Sequence, residues 1–270
     1  MLLMRGFPCM FDSLSATPGL LIVLLLAAFC AGCIDSVVGG GGMIQLPALL
    51  MAPGFSPIAA LSTNKVASCM GTLAGTVTYI RSVALQWKII IPATGIAFCA
   101  SALGAHCATL LPAHIFRPVI VVVLVAILIF TAFESRIPRK ASRVPSTLSL
   151  LGRALAIGMI LGGYDGVLGV GVGSMMLVAF QVLLGYNFLH ATAAAKVLNS
   201  ATNLGALIYF IPLGSIHWLL GILMGCANMA GNWVGARTAI HLGEQFIRRL
   251  LIIIVTLILL RLTAQILGWV

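Results

Sequence analysis

Long hydrophobic segments separated by short polar gaps fill most of this 270-residue chain. In the first half these segments are Leu20–Ile34, Met43–Ala52, Pro57–Ile80, Trp87–Leu111 and Ile115–Phe133. Several are long enough to cross a hydrocarbon core of about 30 Å as helices, whereas Met43–Ala52 is far short of the ~20 residues required. The pattern predicts an all-α fold, a polytopic transmembrane helix bundle.

Composition supports a membrane location. Hydrophobic residues make up 61% of the chain and charged residues only 7%, whereas a soluble domain carries about 25% charged residues. The net charge of +10 comes mainly from Arg and Lys in the gaps, such as Arg136–Arg143. This distribution is typical of basic cytoplasmic loops in membrane proteins, so no nucleic-acid partner is expected.

The sequence offers little for catalysis or cofactor binding. Its five histidines are scattered, and Cys30 and Cys33 lie inside a hydrophobic segment, where cysteine acts as a small apolar residue. A nucleotide-binding P-loop is absent from the sequence. We therefore expect no metal, no cofactor and no enzymatic activity, although an intramembrane enzyme is kept as an alternative.

The chain contains an internal repeat. Lys65 and Trp87 are 22 residues apart, and so are Lys196 and Trp218, although the chain has only four lysines and four tryptophans. The offset between copies is 131 for these pairs and 130 for the Asp–Gly motifs that precede them. The predicted organisation is an N-terminal tail (1–17), a first repeat (18–135), a basic cytoplasmic linker (136–152) and a second repeat (153–270).

The basic residues lie in different gaps between hydrophobic segments in the two copies. Arg81 and Lys88 follow the third segment of the first copy, whereas Arg237, Arg248 and Arg249 follow the fourth segment of the second. This exchange favours an inverted repeat, because a parallel repeat would place the last three outside the cell. The alternative is a re-entrant short segment with four spans per half, so we expect 8–10 membrane segments.

Glycine runs precede both short segments, Met43–Ala52 and its counterpart Ser174–Leu184 in the second copy. A backbone break at membrane depth is tolerated only where protein or a watery cavity satisfies the peptide groups. Short, Gly-interrupted segments at matching places in two halves indicate a transporter binding site, and a helix start attracts anions. The alternative is close helix packing, which we expect of Gly71 and Gly75. The predicted substrate-binding glycines are Gly39, Gly40, Gly41, Gly42, Gly169, Gly171 and Gly173.

Each copy also has a lysine inside a hydrophobic segment. Burying Lys65 or Lys196 at the bilayer centre costs about 2.5–3.5 kcal/mol, which suggests a function. The alternative is that each lysine reaches the membrane surface from a depth of about 12 Å. Asn64, Asn199 and Asn203 lie near these lysines in sequence and complete the predicted substrate site.

Asp35 and Asp165 are two of only five acidic residues and stand just before the glycine runs. Three roles are open for them. They could balance the lysine charges, cap the short helices, or bind a coupling proton.

The stretch from Ala31 to Ile80, with its Asp, glycine run, proline and "TNK", resembles the TauE/SafE sulfite exporter (toluene sulfonate uptake permease) family. The segment "GGYDGVLGVGVGS" with the later "AAAKVLN" resembles the second half-motif of this family. One departure is Ser62 before "TNK", where members more often have glycine. The resemblance covers about residues 18–268 and implies a multi-pass permease of the bacterial inner membrane for sulfite, sulfonates or other organic acids.

Together these features predict a secondary transporter that moves a small anion by alternating access, with Asp35 and Asp165 as the candidates for proton coupling. A passive anion channel is the main alternative. Small-residue faces such as Gly71–Gly75 would also allow a homodimer within the lipid bilayer.

Overall fold

The computed structural model describes residues 18–37, 39–133, 146–242 and 244–266. This part of the chain forms ten helices. The predicted tail (1–17) and residues 134–145 of the linker region lie outside the described residues. Helix α6 begins at Thr147, so the last residues assigned to the linker, 147–152, are helical. The helices are α1 Pro18–Asp35, α2 Gly42–Met51, α3 Pro57–Ser82, α4 Trp87–Leu110, α5 Ala113–Phe133, α6 Thr147–Val167, α7 Val172–Leu184, α8 Phe188–Phe210, α9 Trp218–Leu242 and α10 Glu244–Ile266.

The helices confirm an all-α, polytopic membrane bundle. Among the described residues, four segments are long and apolar enough to cross a membrane: Pro18–Asp35, Trp87–Leu110, Ala113–Phe130 and Thr147–Val167. Large apolar side chains such as Leu103 and Val122 are exposed on the outside of the bundle. Helices α3 and α8 are as long, but each carries a buried lysine among buried polar residues.

The two short helices cannot span a bilayer. Helix α2 has 10 residues and α7 has 13, which gives lengths of about 15 and 20 Å at 1.5 Å per residue. Both begin directly after a glycine-rich break, as the sequence predicts.

Helices α3 and α8, which hold equivalent places in the two copies, are antiparallel. Near the start of α3, the hydroxyl of Ser62 donates to the carbonyl of Ser215, which follows α8. Near the end of α3, the hydroxyl of Thr76 donates to the carbonyl of Lys196, in the first half of α8. The two copies therefore run in opposite directions, which is the relation that an inverted repeat requires.

Contacts between the copies are the same when the halves are exchanged. Helix α4 packs against α6 and α8, and its counterpart α9 packs against α1 and α3. The exchange holds for single residues: Gly162 lies against Ala97, and Gly32 lies against Asn228, the counterpart of Ala97. Each copy is thus completed by the fourth helix of the other copy.

Each short helix is the returning arm of a hairpin. Helix α1 runs parallel to α9, because Phe29 lies against Gly231 and Cys33 against Gly235. We call the end of the bundle where α3 begins the Pro57 end, and the end where α3 finishes the Ser82 end. Both α1 and α9 start at the Pro57 end, and α2 runs back toward it. Helices α6 and α7 form the equivalent hairpin from the opposite, Ser82 end. Each described half therefore consists of a hairpin, α1–α2 or α6–α7, followed by three long helices.

Candidate functional site

A cavity lies in the interior where the tips of the two hairpins meet. The empty space at this site is about 370 Å³, counted together with its opening to solvent. Its walls come from both halves and include residues from both glycine breaks. The lining residues are Asp35, Gly39, Gly41, Gly42, Asn64, Lys65, Ser68, Thr72, Asp165, Gly169, Val172, Gly173, Asn199, Asn203 and Asn228.

The two glycine breaks touch each other, which explains their composition. The amide N–H of Ser174 donates to the carbonyl of Gly39 at 3.1 Å. A Cβ atom on Gly173 would lie only 2.3 Å from that carbonyl oxygen. Gly39 also has a positive φ of 76° and its counterpart Gly169 one of 71°, a region that other residues adopt only at a cost. Glycine is thus required at Gly173 by the close approach to the Gly39 carbonyl, and at Gly39 and Gly169 by the positive φ.

The predicted glycines are not all equivalent. Gly39, Gly41, Gly42, Gly169 and Gly173 line the cavity. Gly40 and Gly171, also predicted for the site, are absent from this lining. A Cβ on Gly171 would instead meet Met43 and Ile127, so this glycine allows side chains to pack behind the break.

The aspartates balance the lysine charges, and they do so across the two halves. Lys65 Nζ lies 2.9 Å from Asp165 Oδ1, with both side chains 1% exposed. Lys196 Nζ lies 2.5 Å from Asp35 Oδ2. Each lysine of one copy therefore pairs with the aspartate of the other. The alternative, in which each lysine side chain extends to the membrane surface, is therefore wrong.

Capping of the short helices by the aspartates is also wrong. The N-cap residues of α2 and α7 are Gly41 and Gly171, and neither helix start receives a hydrogen bond from a capping side chain. The aspartates instead lie at the carboxyl ends of α1 and α6, beside the lysine ammonium groups. Positive charge there is favourable, because a helix carries partial negative charge at its carboxyl end.

The two ion pairs differ in their hydrogen bonds. Lys196 also donates to the backbone carbonyl of Asp35 at 2.6 Å. For Lys65, Asp165 Oδ1 is the one acceptor that the described part of the chain provides. Asp165 Oδ2 and Asn64 Oδ1 are buried and accept no hydrogen bond within this part of the chain.

Amide side chains from α8 form a neutral wall of the cavity. The amide of Asn203 donates to Thr72 Oγ1 and to Asn199 Oδ1, each at 3.4 Å. Asn199 and Asn203 were both predicted for the site, on the same helix face as Lys196. Asn64, predicted beside Lys65, lines the cavity from α3.

Asn228 of α9 is a lining residue that the sequence reasoning missed. Its amide donates to Gln45 Oε1 at 3.0 Å, and its own carbonyl accepts from Asn232 at 3.3 Å. Gly71 leaves room for the Asn228 side chain, since a Cβ there would lie 1.7 Å from Asn228 Oδ1. The available signal was two asparagines four residues apart within a hydrophobic segment. Gly71 thus packs against Asn228 within the chain, so this face is not free for a second copy, and the homodimer itself stays a prediction.

A second cavity lies beside the first, beyond the contact between the glycine breaks. It is largely apolar, has an empty volume of about 230 Å³ and shares Gly39, Gly173 and Asn199 with the first cavity. Lys196 and Thr192 also line it. Because Thr192 is four residues from the start of α8, this cavity leads toward the Ser82 end. Among the described residues, no group of three or more His, Cys, Asp or Glu side chains could hold a metal ion.

These features define a class of protein. Many membrane transporters are built from two repeats that run in opposite directions, with a binding site where the broken helices of the repeats meet. This chain has the same architecture. The sulfite exporter TauE/SafE family matches residues 24–262. The chain belongs to this family, which confirms the resemblance, and it is a multi-pass membrane transporter.

Curated relatives agree with this assignment. The probable membrane transporter protein ORF9 of a Sinorhizobium species is 36% identical over 91% of this chain and 93% of its own length. The probable membrane transporter protein YfcA of Escherichia coli K12 is 34% identical over 90% of each chain. A probable membrane transporter protein of Haemophilus influenzae is 34% identical over 87% of this chain and 91% of its own length. No solved structure gives a significant match.

Proposed function

We propose that the protein is a secondary transporter for a small anion, such as sulfite, a sulfonate or another organic acid. The observation that carries this proposal is the buried cavity between the two opposed helix breaks. Two ion pairs line it, and each joins a lysine of one half to an aspartate of the other half. Helix starts at Gly42 and Val172 add partial positive charge to the cavity. Backbone N–H groups in such a site are suited to the oxygen atoms of an anion.

Charge balance favours proton coupling. Two lysines and two aspartates give the cavity a formal charge of zero, so an anion that enters alone leaves a buried net negative charge, which is costly. A proton that enters with the anion restores neutrality. Asp35 and Asp165 are the candidate acceptors for it, and Lys196 would keep the Asp35 carbonyl as a partner if the Asp35 carboxylate were neutralised.

Alternating access would come from one hairpin moving against the other. The two hairpins enter from opposite ends and meet at the Ser174–Gly39 hydrogen bond. The second cavity extends toward the Ser82 end, where Arg81 and Lys88 are exposed. We assign this end to the cytoplasm of a bacterial inner membrane on the basis of these charges.

The test is anion flux into proteoliposomes that contain the purified protein. Sulfite, thiosulfate, ethanesulfonate and acetate would be offered separately, with and without an imposed proton gradient. For at least one of them, we expect accumulation that an uncoupler collapses. Flux that follows only the gradient of the anion itself would instead indicate a passive channel.

Variants connect this flux to the cavity. Lys65→Ala and Lys196→Ala are expected to abolish flux, whereas Lys88→Ala, which removes an exposed lysine, should keep it. Asp35→Asn should make the remaining flux independent of the proton gradient. Wild-type flux in both cavity-lysine variants, measured at equal amounts of folded protein, would refute the assigned site.

A further inference from the structure

The transport cavity has two buried hydrogen-bond acceptors without donors. Asp165 Oδ2 and Asn64 Oδ1 both belong to lining residues and accept no hydrogen bond within the described part of the chain. Their side chains are 1% and 2% exposed. A buried acceptor that stays unpaired costs about 1–3 kcal/mol, and more when it is charged. A bound molecule that supplies donors would remove this cost.

A metal cation is a poor candidate for this position. The other oxygen of Asp165 binds the Lys65 ammonium at 2.9 Å. A cation on Oδ2 would therefore lie within a few ångströms of a buried positive charge, and repulsion is strong in a medium of low dielectric constant. An O–H or N–H group supplies a donor at this position without adding a second full charge.

The equivalent position in the other half cannot act in the same way. The counterpart of Asn64 is Ala195, which has no acceptor in its side chain. The counterpart of Asp165 is Asp35, which holds Lys196 through both its carboxylate and its backbone carbonyl. The unpaired acceptors are therefore confined to the side of the cavity around Lys65.

We propose that Asp165 and Asn64 form a donor-binding subsite, and that the preferred cargo is a small anion that also carries a hydroxyl or N–H group. This inference rests on the proposed function, because it places the subsite inside the transport cavity. The anionic group of the cargo would bind the helix starts and the amide wall. Its donor group would bind at Asp165 and Asn64. The cargo would therefore bind in one orientation.

A matched pair of ligands tests the subsite. The anions 2-hydroxyethanesulfonate and propane-1-sulfonate have the same number of heavy atoms and the same charge, and differ by a hydroxyl in place of a methyl group. Their dissociation constants would be measured by calorimetric titration of the full-length protein in lipid nanodiscs. Because a hydrogen bond to a charged partner is involved, we expect the hydroxylated anion to bind about tenfold more tightly or better. Glycolate and propionate provide the same comparison for carboxylates.

Substitutions then locate the preference. Asn64→Leu removes one acceptor at similar size and should reduce the preference for the hydroxylated anion severalfold. Gln181→Met changes a buried amide of α7 outside the cavity lining and should leave the preference unchanged. Asp165→Asn retains an acceptor for Lys65 and should also reduce the preference, which keeps the test valid if Asn64→Leu does not fold.

The outcomes separate the two proposals. If neither member of either pair binds, the proposed function fails for these anion classes, and the subsite fails with it. If both members bind equally well to the wild-type protein, anion binding stands and the donor subsite is refuted. A hydroxyl preference that survives both Asn64→Leu and Asp165→Asn would also refute the subsite.

Discussion

The two halves of the cavity carry the same charges but different neutral side chains. Each half contributes one lysine and one aspartate, and each lysine pairs with the opposite aspartate. The neutral positions differ: in the first half Ser68 and Thr72 stand where the second half has Asn199 and Asn203. Asn228 and Gln45 likewise have Ala97 and Met176 as counterparts.

This difference separates two requirements on the site. Charges buried at 1–8% exposure must be paired in any state of the protein, so both halves keep the same ion pair. Neutral amides cost less to bury and can differ between the halves. We infer that the paired charges keep both hairpins electrically balanced, and that the neutral groups, together with Asp165, recognise the cargo.

The largest expected effect compares the two ion pairs. Asp165→Ala leaves Lys65 buried without its acceptor and should lower the free energy of unfolding by about 3–5 kcal/mol. Asp35→Ala should cost less, about 1–3 kcal/mol, because Lys196 keeps the Asp35 carbonyl. Chemical denaturation of the purified proteins measures both. Equal losses would show that the additional hydrogen bond of Lys196 contributes nothing.

The glycine breaks give the next comparison. Gly173→Ala places a Cβ 2.3 Å from the Gly39 carbonyl, and Gly42→Ala places one 2.7 Å from the Gly169 carbonyl. Since backbone cannot move aside easily, each should cost about 3 kcal/mol and abolish flux. Gly185→Ala is the control, because it meets open space and has only the strain of its positive φ, about 1–2 kcal/mol. A Gly173→Ala protein as stable as the control would contradict the tight contact.

A third comparison converts one half into the other. Asn228→Ala alone leaves Gln45 and Asn232 without their partner, at a cost of about 1–3 kcal/mol. Adding Gln45→Met and Asn232→Ser reproduces the residues of the other half. The triple variant should recover about 1 kcal/mol relative to the single one, since the partners are removed together. Thermal unfolding checks this, and a further loss in the triple variant would count against the paired amides.

The smallest expected effect concerns two tyrosines whose hydroxyls donate hydrogen bonds to backbone carbonyls near the glycine breaks. The hydroxyl of Tyr164 donates to the Val170 carbonyl at 2.6 Å, and that of Tyr79 donates to the Ser36 carbonyl at 2.9 Å. Tyr164→Phe and Tyr79→Phe should each cost about 1 kcal/mol. Comparison of their unfolding curves with that of the wild-type protein tests the prediction. A change below the error of the measurement in both would mean that the hydroxyls do not stabilise the breaks.

Much of the fold could be predicted from sequence, because hydrophobic length and glycine runs are local signals. The five segments of the first half match α1–α5 to within a few residues. The path of α2 was different: its length excluded a span, but only the contacts of α1 with α9 show that it returns to the Pro57 end. A hairpin and a broken span have the same hydrophobic pattern.

The site was predictable in composition and less so in pairing. Lys65 and Lys196 were identifiable because buried charge is costly in lipid. Asn228 was missed because two asparagines four residues apart in a hydrophobic segment are a weak signal. The position of Asn228 over Gly71 depends on how α9 packs against α3.

The sequence by itself determined the membrane class, the duplication, the two breaks and the charged residues, because each follows from local hydrophobicity, spacing or charge. Only the tertiary structure decided that each lysine pairs with the aspartate of the other copy. It also decided that Asp165 Oδ2 has no hydrogen-bond partner among the described residues, whereas Lys196 has two acceptors. Such pairing depends on how two opposed hairpins meet. Distances between residues 100 or more positions apart are set by packing, and no local pattern encodes them.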